Sequence, residues 1–206
     1  MTDWIRRPYD SVGVTQFPVG RHLGALQEPY LGKVVLCIDV SPSMYGQPIR
    51  EANRGAEQFV REAVAARYRV GLILWDSGVV ATVPLSADPQ PVLRGLREDL
   101  RTSGTNVEPT VRAGITMLGH LRGDRVLAVF GDGDIGPEKP AVAAAREAAA
   151  LGIRIIVRGL GAYAASSLSK IATEGAEEAE IADQAGIAGG IAAMAASIGR
   201  RAEGRR

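Results

Sequence analysis

Small side chains that carry oxygen atoms occur in three separate loops of this sequence. The first loop contains Asp39, Ser41 and Ser43, the second contains Thr105, and the third contains Asp132. Hydroxyl and carboxylate oxygens are hard ligands, which Mg²⁺, Ca²⁺ and Mn²⁺ accept and which zinc and copper do not prefer. Three hydroxyls and two carboxylates could together hold one such ion, partly through water, and leave one coordination position open.

The charge of such a site indicates what it would bind. An ion that is held mainly by hydroxyls and water keeps most of its positive charge and attracts a further anionic oxygen, most naturally from an Asp or Glu of another protein. These loops contain no obvious general base, because no histidine lies in them and no lysine occurs between Lys33 and Lys139. The residue types therefore favour capture of a protein partner over catalysis.

Each of these residues also has a simpler structural explanation. Ser41, Ser43 and Thr105 could cap helices or stabilise turns, and Asp132 between two glycines is a common turn composition. Each structural role is plausible alone, but all five oxygen-bearing residues occur together in three polar loops, and this joint occurrence favours a common metal site. We therefore expect a metal site at Asp39, Ser41, Ser43, Thr105 and Asp132.

Buried strands precede the first and third of these loops. The continuous apolar run 34–38 predicts a strand that ends at Asp39, and the run 126–130 predicts another strand that ends before Asp132. Further strands are predicted at 70–75, 79–83 and 154–160, with a weak one near 179–181. Helical spacing or composition predicts helices at 48–66, 89–100, from after 106 to about 121, and at 139–150, 166–173 and 186–200.

The alternation of strands and helices predicts an α/β domain with a doubly wound, mostly parallel sheet and helices on both faces. The short turn 76–78 between two strands predicts a hairpin, and hence one antiparallel edge strand. We expect residues 31–199 to form this domain, after an irregular arm at 1–30 and before a basic tail at 200–206. In such sheets, ligands bind at the carboxyl ends of the strands, where the strand order reverses.

Composition excludes several classes of protein. The 206 residues include 24 basic and 23 acidic side chains, so no global positive field would recruit nucleic acid or a membrane surface. Cys37 is the only cysteine, which excludes an internal disulfide and a cysteine-based zinc site. No signal-peptide pattern and no apolar run of the roughly 18 residues that a membrane span needs are present. We therefore expect a cytoplasmic protein.

The three loops resemble the metal-ion-dependent adhesion site of von Willebrand factor A domains. Residues 39–43, Asp-Val-Ser-Pro-Ser, are similar to the DxSxS motif of that family. Residues 103–106 are similar to its second loop, which contributes a threonine, and residues 130–133 resemble its third loop, usually Thr-Asp-Gly. The resemblance covers about residues 33–198. Two departures are Pro42, where the family often has Gly, and Gly131, where it usually has Thr.

The resemblance implies a Rossmann-like fold and a role for each of the five residues. Ser41, Ser43 and Thr105 would contact the metal directly, whereas Asp39 and Asp132 would act mostly through water. It also implies a non-enzymatic, prokaryotic intracellular interaction module with Mg²⁺, or Mn²⁺ or Ca²⁺ in its place, and a partner that presents Asp or Glu. Family members of this kind are often associated with AAA+ ATPases of the MoxR type or with stress and conflict systems.

A second resemblance leads to a different function. Asp39 after a buried strand and the run 131–134 are similar to the nucleophile and the late acidic motif of Mg²⁺-dependent phosphohydrolases of the haloacid-dehalogenase type. Two features count against this alternative. Ser41 stands where those enzymes have an acid/base Asp, and the lysine expected before the last motif is absent, although Arg112 could replace it.

Overall fold

A computed structural model describes residues 28–96, 104–132, 134–173 and 194 of the chain. Its strands are β1 (Gly32–Asp39), β2 (Tyr68–Trp75), β3 (Val79–Ser86), β4 (Arg125–Gly131) and β5 (Arg154–Gly159). Its helices are α1 (Gln47–Ala65), α2 (Gln90–Gly95), α3 (Glu108–Leu118), α4 (Glu138–Ala150) and α5 (Gly161–Ser169). Short 3-10 turns lie at Glu28–Tyr30 and Pro42–Met44.

The five strands form one sheet in the order β3-β2-β1-β4-β5. Strand β1 is parallel to both of its neighbours, β2 and β4, and β4 is parallel to β5. The β2–β3 pair is antiparallel. The predicted doubly wound α/β architecture with one antiparallel edge strand is therefore confirmed.

Strand β1 lies at the centre of the molecule and contributes to two hydrophobic cores. Val34, Leu36 and Ile38 pack into the core under α1 and α2, and Val35 and Cys37 pack into the core under α3 and α4. Successive side chains of a strand point to opposite faces, so a strand covered on both faces must be apolar at every position. This requirement explains the uninterrupted apolar run that predicted the strand.

Helix α1 packs against the sheet through one apolar face. Its buried residues include Ile49, Ala56, Phe59 and Val60, which recur at helical spacing, and Pro48 lies in the first turn. A proline is tolerated there because the first N–H groups of a helix have no partner within the helix. The helix spans the domain from the carboxyl end of β1 back to the start of β2.

The order of the strands determines where a ligand would bind. From β1 the chain moves to β2 and β3 on one side, and then crosses to β4 and β5 on the other side. The winding direction therefore reverses between β1 and β4, whose carboxyl ends are Asp39 and Gly131. Such a reversal leaves a crevice between two parallel strands in open α/β sheets.

Helix α5 begins at Gly161, five residues before the predicted start of the helix at 166–173. The segment that precedes Ser166 consists mainly of glycine and alanine and carries little apolar periodicity, which is why the prediction missed it. Gly159 permits the sharp return, because a Cβ atom at this position would lie only 2.2 Å from the backbone nitrogen of Ala165.

Several predicted segments lie outside the described residues. These are residues 1–27 of the predicted arm, the predicted strand near 179–181, the tail 200–206 and the helix 186–200 apart from Met194. Met194 is helical and buried in the core under α1 and α2. Among the helices that the structure describes, none combines the length and the apolar character needed to cross a membrane.

Candidate metal centre

Asp39 is the last residue of β1 and is fully buried, with 0% of its surface exposed. Its Oδ1 accepts a hydrogen bond from the backbone N–H of Ser41 at 2.8 Å. Its Oδ2 has no hydrogen-bond partner among the residues that the structure describes. Burial raises the pKa of Asp39 to about 6, although hydrogen bonds from Ser41 and from the backbone of Asp132 lower this pKa. The site thus contains a buried carboxylate with one oxygen left uncompensated.

Ser41 and Ser43 follow Asp39 in a tight 3-10 turn. Ser41 has extended backbone angles, φ −59° and ψ 163°, as expected for a residue that precedes a proline. The buried side chain of Met44 anchors the end of the turn in the core. This geometry places the two serine hydroxyls 3.1 Å apart. Pro42, where the family often has glycine, is therefore compatible with a loop that presents both hydroxyls on one side.

A hydrogen bond connects this turn to the loop that follows β4. The hydroxyl of Ser43 donates to Oδ1 of Asp132 at 2.9 Å, across 89 residues of sequence. Partial burial raises the pKa of Asp132, and the hydrogen bond from Ser43 lowers it. Asp39, Ser41, Ser43 and Asp132 are thus brought together at the crevice between β1 and β4.

The Thr105 loop lies at the same edge of the sheet. The backbone N–H of Asn106 donates to the carbonyl of Asp76 at 2.6 Å, and that of Val107 donates to the carbonyl of Ile135 at 3.1 Å. These contacts hold the loop between the end of β2 and the segment that follows β4. Asn106 Oδ1 also accepts a hydrogen bond from the N–H of Glu108 at 3.2 Å, where α3 begins. Thr105 itself is half-buried, and its role as a metal ligand stays a prediction.

Two further acidic residues at this edge stabilise turns. Asp76 is buried, and its Oδ1 accepts a hydrogen bond from the N–H of Gly78 at 2.9 Å. The carboxylate of Asp134 accepts a hydrogen bond from the hydroxyl of Ser167 at 3.0 Å. Short polar loops therefore depend on these two carboxylates for their shape.

The donor set at the crevice is compatible with a hard divalent cation. All of the side-chain atoms that could bind a metal here are oxygens. A bound cation would also offset the negative charge of Asp39, whose Oδ2 has no hydrogen-bond partner among the described residues. Within the described ranges, no three His, Cys, Asp or Glu side chains cluster in a way that could hold a metal. An ion at this position would therefore depend on the hydroxyl groups as well as on the two carboxylates.

Gly131 stands where the family usually has threonine, and the packing around it explains the difference. A Cβ atom at this position would lie 3.0 Å from Asp39 Oδ2 and 3.2 Å from Trp75 Cζ2. The buried indole of Trp75 occupies the space that a larger residue would need. The close packing of Trp75 therefore accounts for the absence of a threonine hydroxyl at position 131.

We expect Gly131→Ala to lower the free energy of unfolding by about 1–3 kcal/mol, since close-packed cores tolerate added methyl groups poorly. Thermal unfolding would measure the change. Gly78→Ala is the matched control, because a Cβ atom there meets nothing within 4 Å. Equal melting temperatures for the two variants would contradict the packing explanation.

Comparison with known proteins relates the described fold to one family. Residues 34–134 match the model of the von Willebrand factor type A domain. This match includes all three loops of the candidate site. No curated protein sequence is significantly similar to the chain.

Solved structures share the fold at low sequence identity. The von Willebrand factor domain of the type V pili tip protein Mfa5 from Porphyromonas gingivalis is 14% identical, with a TM-score of 0.70, over 82% of this chain and 95% of that chain. The protein BatB from Bacteroides thetaiotaomicron is 24% identical, with a TM-score of 0.56, over 63% of this chain and 67% of that chain.

The pilus adhesin SpaC from Lactobacillus rhamnosus GG is a longer protein with the same fold in one part. It is 15% identical, with a TM-score of 0.68, over 84% of this chain but only 30% of its own length. At these identities the likeness establishes the fold alone.

Proposed function

We propose that the domain containing residues 34–134, which match the model of the von Willebrand factor type A domain, is a metal-dependent interaction module without enzymatic activity. A divalent cation, Mg²⁺ or alternatively Mn²⁺ or Ca²⁺, would be bound at the crevice between β1 and β4. The proposed ligands are Asp39, Ser41, Ser43, Thr105 and Asp132. An acidic side chain of a partner protein would complete the coordination of the ion.

The observation that carries this proposal is the connected set of oxygens at the crevice. The Ser41 and Ser43 hydroxyls lie 3.1 Å apart, and Ser43 bonds to Asp132 at 2.9 Å. These side chains now satisfy one another, and a cation would replace their mutual hydrogen bonds with coordination bonds. The three hydroxyls would contact the ion directly, and the two carboxylates would act mostly through bound water.

The charge balance of such a site supports capture of a carboxylate. Hydroxyl and water ligands are neutral, so the ion would keep most of its positive charge, and a partner's Asp or Glu would supply the anionic oxygen. Two structurally similar proteins, Mfa5 and SpaC, are described as a pilus tip protein and a pilus adhesin. We propose a cytoplasmic counterpart of this binding mode, with an AAA+ ATPase of the MoxR type or a component of a stress or conflict system as the partner.

The alternative function, a phosphohydrolase with Asp39 as its nucleophile, gains no support from the geometry. A nucleophilic carboxylate must reach the phosphorus atom, whereas Asp39 is fully buried. Ser41 occupies the place of the acid/base Asp, and its hydroxyl interacts with Ser43. We therefore retain the interaction module as the proposed function.

Affinity purification with and without a chelator tests this proposal. The tagged full-length chain would be incubated with a lysate of its source organism in Mg²⁺ or in EDTA, with Ser43→Ala in parallel. Thr82→Ala is the matched control, because it removes an exposed hydroxyl from the edge strand β3. A partner retained by the wild type and by Thr82→Ala in Mg²⁺, and lost in EDTA or with Ser43→Ala, is the expected result. A partner retained equally in all samples would contradict the proposal.

Tyr45 lies directly after the first loop and is 71% exposed. Exposed aromatic side chains often provide much of the energy at the centre of a protein interface. We expect Tyr45→Ala to weaken partner binding about 10-fold without changing the melting temperature, as measured by titration with the purified partner. Tyr30→Ala is the control, since Tyr30 is also exposed but precedes β1 at the opposite edge of the sheet. An unchanged affinity in Tyr45→Ala would exclude this residue from the interface.

A further inference from the structure

A pocket lies at the amino ends of the parallel strands, at the opposite end of the sheet from the candidate metal centre. It has a volume of about 490 Å³, which is within the range of small-molecule sites in proteins. Its walls come from the first residues of β1 and β2, the end of β3 and the region where α3 ends. The pocket is therefore separate from the residues that form the proposed metal site.

Lys33 lies in the wall of this pocket and is buried, with 3% of its surface exposed. Its ammonium group donates to the carbonyls of Pro29 at 2.6 Å and Arg122 at 2.8 Å. An ammonium carries three N–H donors, so one remains without an acceptor among the residues that the structure describes. Within the described part of the chain, Lys33 forms no ion pair. Burial, together with the nearby Arg125, lowers the pKa of Lys33.

Two arginines add to the positive charge of the pocket. Arg69 forms an ion pair with Glu28, but its buried Nε has no hydrogen-bond partner among the described residues. Arg122 donates to the hydroxyl of Tyr30 at 3.4 Å and has no carboxylate partner in the described part of the chain. Glu28, the one acidic residue that the structure describes in the wall, therefore offsets only one of three cationic side chains.

Asp124, which follows Arg122 closely in the chain, uses its carboxylate in other contacts. Asp124 Oδ2 accepts hydrogen bonds from Arg154 at 2.6 Å and from the hydroxyl of Tyr68 at 2.6 Å. The backbone of Asp124, by contrast, contacts β1 directly, because its carbonyl accepts the N–H of Lys33 at 2.8 Å. The carboxylate of Asp124 is therefore engaged by Arg154 and Tyr68, which do not line the pocket.

The remainder of the wall consists of Pro29, His120 and three apolar side chains. Leu85, Met117 and Leu121 line the pocket and are half-buried. A ligand that contacts both the cationic and the apolar side of the pocket must combine an anionic group with an apolar body. The volume would accommodate a molecule of about the size of a mononucleotide.

We propose that this pocket binds a small organic anion whose phosphate or carboxylate group is held by Lys33, Arg69 and Arg122. The apolar part of the ligand packs against Leu85, Met117 and Leu121. Charge-assisted hydrogen bonds to the anion satisfy the free donors of the buried Lys33 and of the more exposed Arg69 and Arg122. Binding requires no metal ion, so this inference does not depend on the proposed function of the opposite edge.

Titration calorimetry of the full-length chain in EDTA tests the proposal, because the chelator prevents phosphate from binding through a metal ion. The probes are adenosine monophosphate and octanoate, with adenosine and inorganic phosphate as partial ligands. At least one of the two amphipathic anions is expected to bind with an affinity about 10-fold or more above those of adenosine and phosphate. Preference for the nucleotide would assign a phosphate ligand, and preference for octanoate would assign a carboxylate ligand.

Variants locate the binding in the pocket. Arg122→Gln is expected to weaken binding about 10-fold, as is typical for the loss of a hydrogen bond to a charged group. Lys33→Met provides a second test, provided that its melting curve shows a folded protein. Arg50→Gln, at the carboxyl edge where α1 begins, is the control and should bind as the wild type does. Absence of saturable binding by both anions, binding of adenosine as tight as that of its monophosphate, or full affinity in Arg122→Gln would overturn the proposal.

Discussion

Asp39→Asn is expected to raise the melting temperature of the metal-free protein and to abolish its response to Mg²⁺. The carboxylate of Asp39 is fully buried, and its Oδ2 has no hydrogen-bond partner among the described residues. Its pKa is raised from the ordinary value of 3.8 to about 6. At neutral pH, this shift corresponds to a reduction of about 3 kcal/mol in the free energy of unfolding. An asparagine removes the charge and keeps an oxygen that accepts the N–H of Ser41.

The expected gain in the melting temperature is about 6–12 °C, at 2–4 °C per kcal/mol for a domain of this size. Thermal unfolding in EDTA and in Mg²⁺ would measure both effects. Asp88→Asn is the matched control, because Asp88 is exposed and its Oδ1 accepts the N–H of Gln90, a bond that an asparagine can also form. A metal-free Asp39→Asn protein that is less stable than the wild type, or one that still responds fully to Mg²⁺, would contradict this account.

The pH dependence of the metal-free protein follows from the same residue. The pKa of Asp39 in the folded state lies above its value in the unfolded chain. The ionised carboxylate therefore destabilises the folded state to the full extent only above about pH 6. As the pH falls from 6 towards 4, the folded state takes up a proton before the unfolded state does, and this destabilisation disappears. The stability difference between Asp39→Asn and the wild type should therefore decrease over this range, as measured by denaturation in EDTA.

Mg²⁺ is expected to stabilise the wild type, because a ligand that binds only the folded state shifts the unfolding equilibrium by mass action. At an ion concentration 100-fold above the dissociation constant, the gain is about 2.7 kcal/mol, or about 5–10 °C in the melting temperature. Ser43→Ala removes a hydroxyl at the centre of the oxygen cluster and should abolish this gain. Thermal unfolding over a series of Mg²⁺ concentrations would measure the shift.

Thr105→Ala tests the residue whose role depends most on the family resemblance. We expect this variant to lose most of the stabilisation by Mg²⁺, whereas Thr82→Ala, which removes an exposed hydroxyl from β3, should keep it. If Thr105→Ala responds to Mg²⁺ like the wild type, Thr105 is not a ligand. A full response in Ser43→Ala would exclude the whole cluster.

The parts of the fold that the sequence predicted are those governed by local pattern. The apolar runs at 34–38 and 126–130 are parallel strands that are buried on both faces. A short continuous apolar run is typical of such strands, because both faces of the sheet are covered by helices. The turn at 76–78 indicated the antiparallel edge strand, which the β2–β3 pairing confirms. The proximity of Asp39 and Asp132 follows from strand order and not from local sequence, yet general rules for open sheets anticipated it.

Contacts between distant residues could not be predicted in the same way. The position of the Thr105 loop depends on the hydrogen bond between Asn106 and the carbonyl of Asp76, which no local pattern encodes. Helix α5 begins early because its alanines fit closely against Gly159. Burial of Lys33 depends on the carbonyls of Pro29 and Arg122, which lie on either side of it in space. Each of these features arises from tertiary packing.

A titration of Mn²⁺ followed by electron paramagnetic resonance tests the central claim most directly, namely that the oxygen cluster between β1 and β4 holds one divalent cation. The signal of free Mn²⁺ would be compared for the wild type and for a variant that combines Ser41→Ala with Ser43→Ala. We predict one bound ion per wild-type chain and at least a 10-fold weaker affinity in the double variant. Equal binding of Mn²⁺ by the two proteins, or no binding by the wild type, would contradict the account.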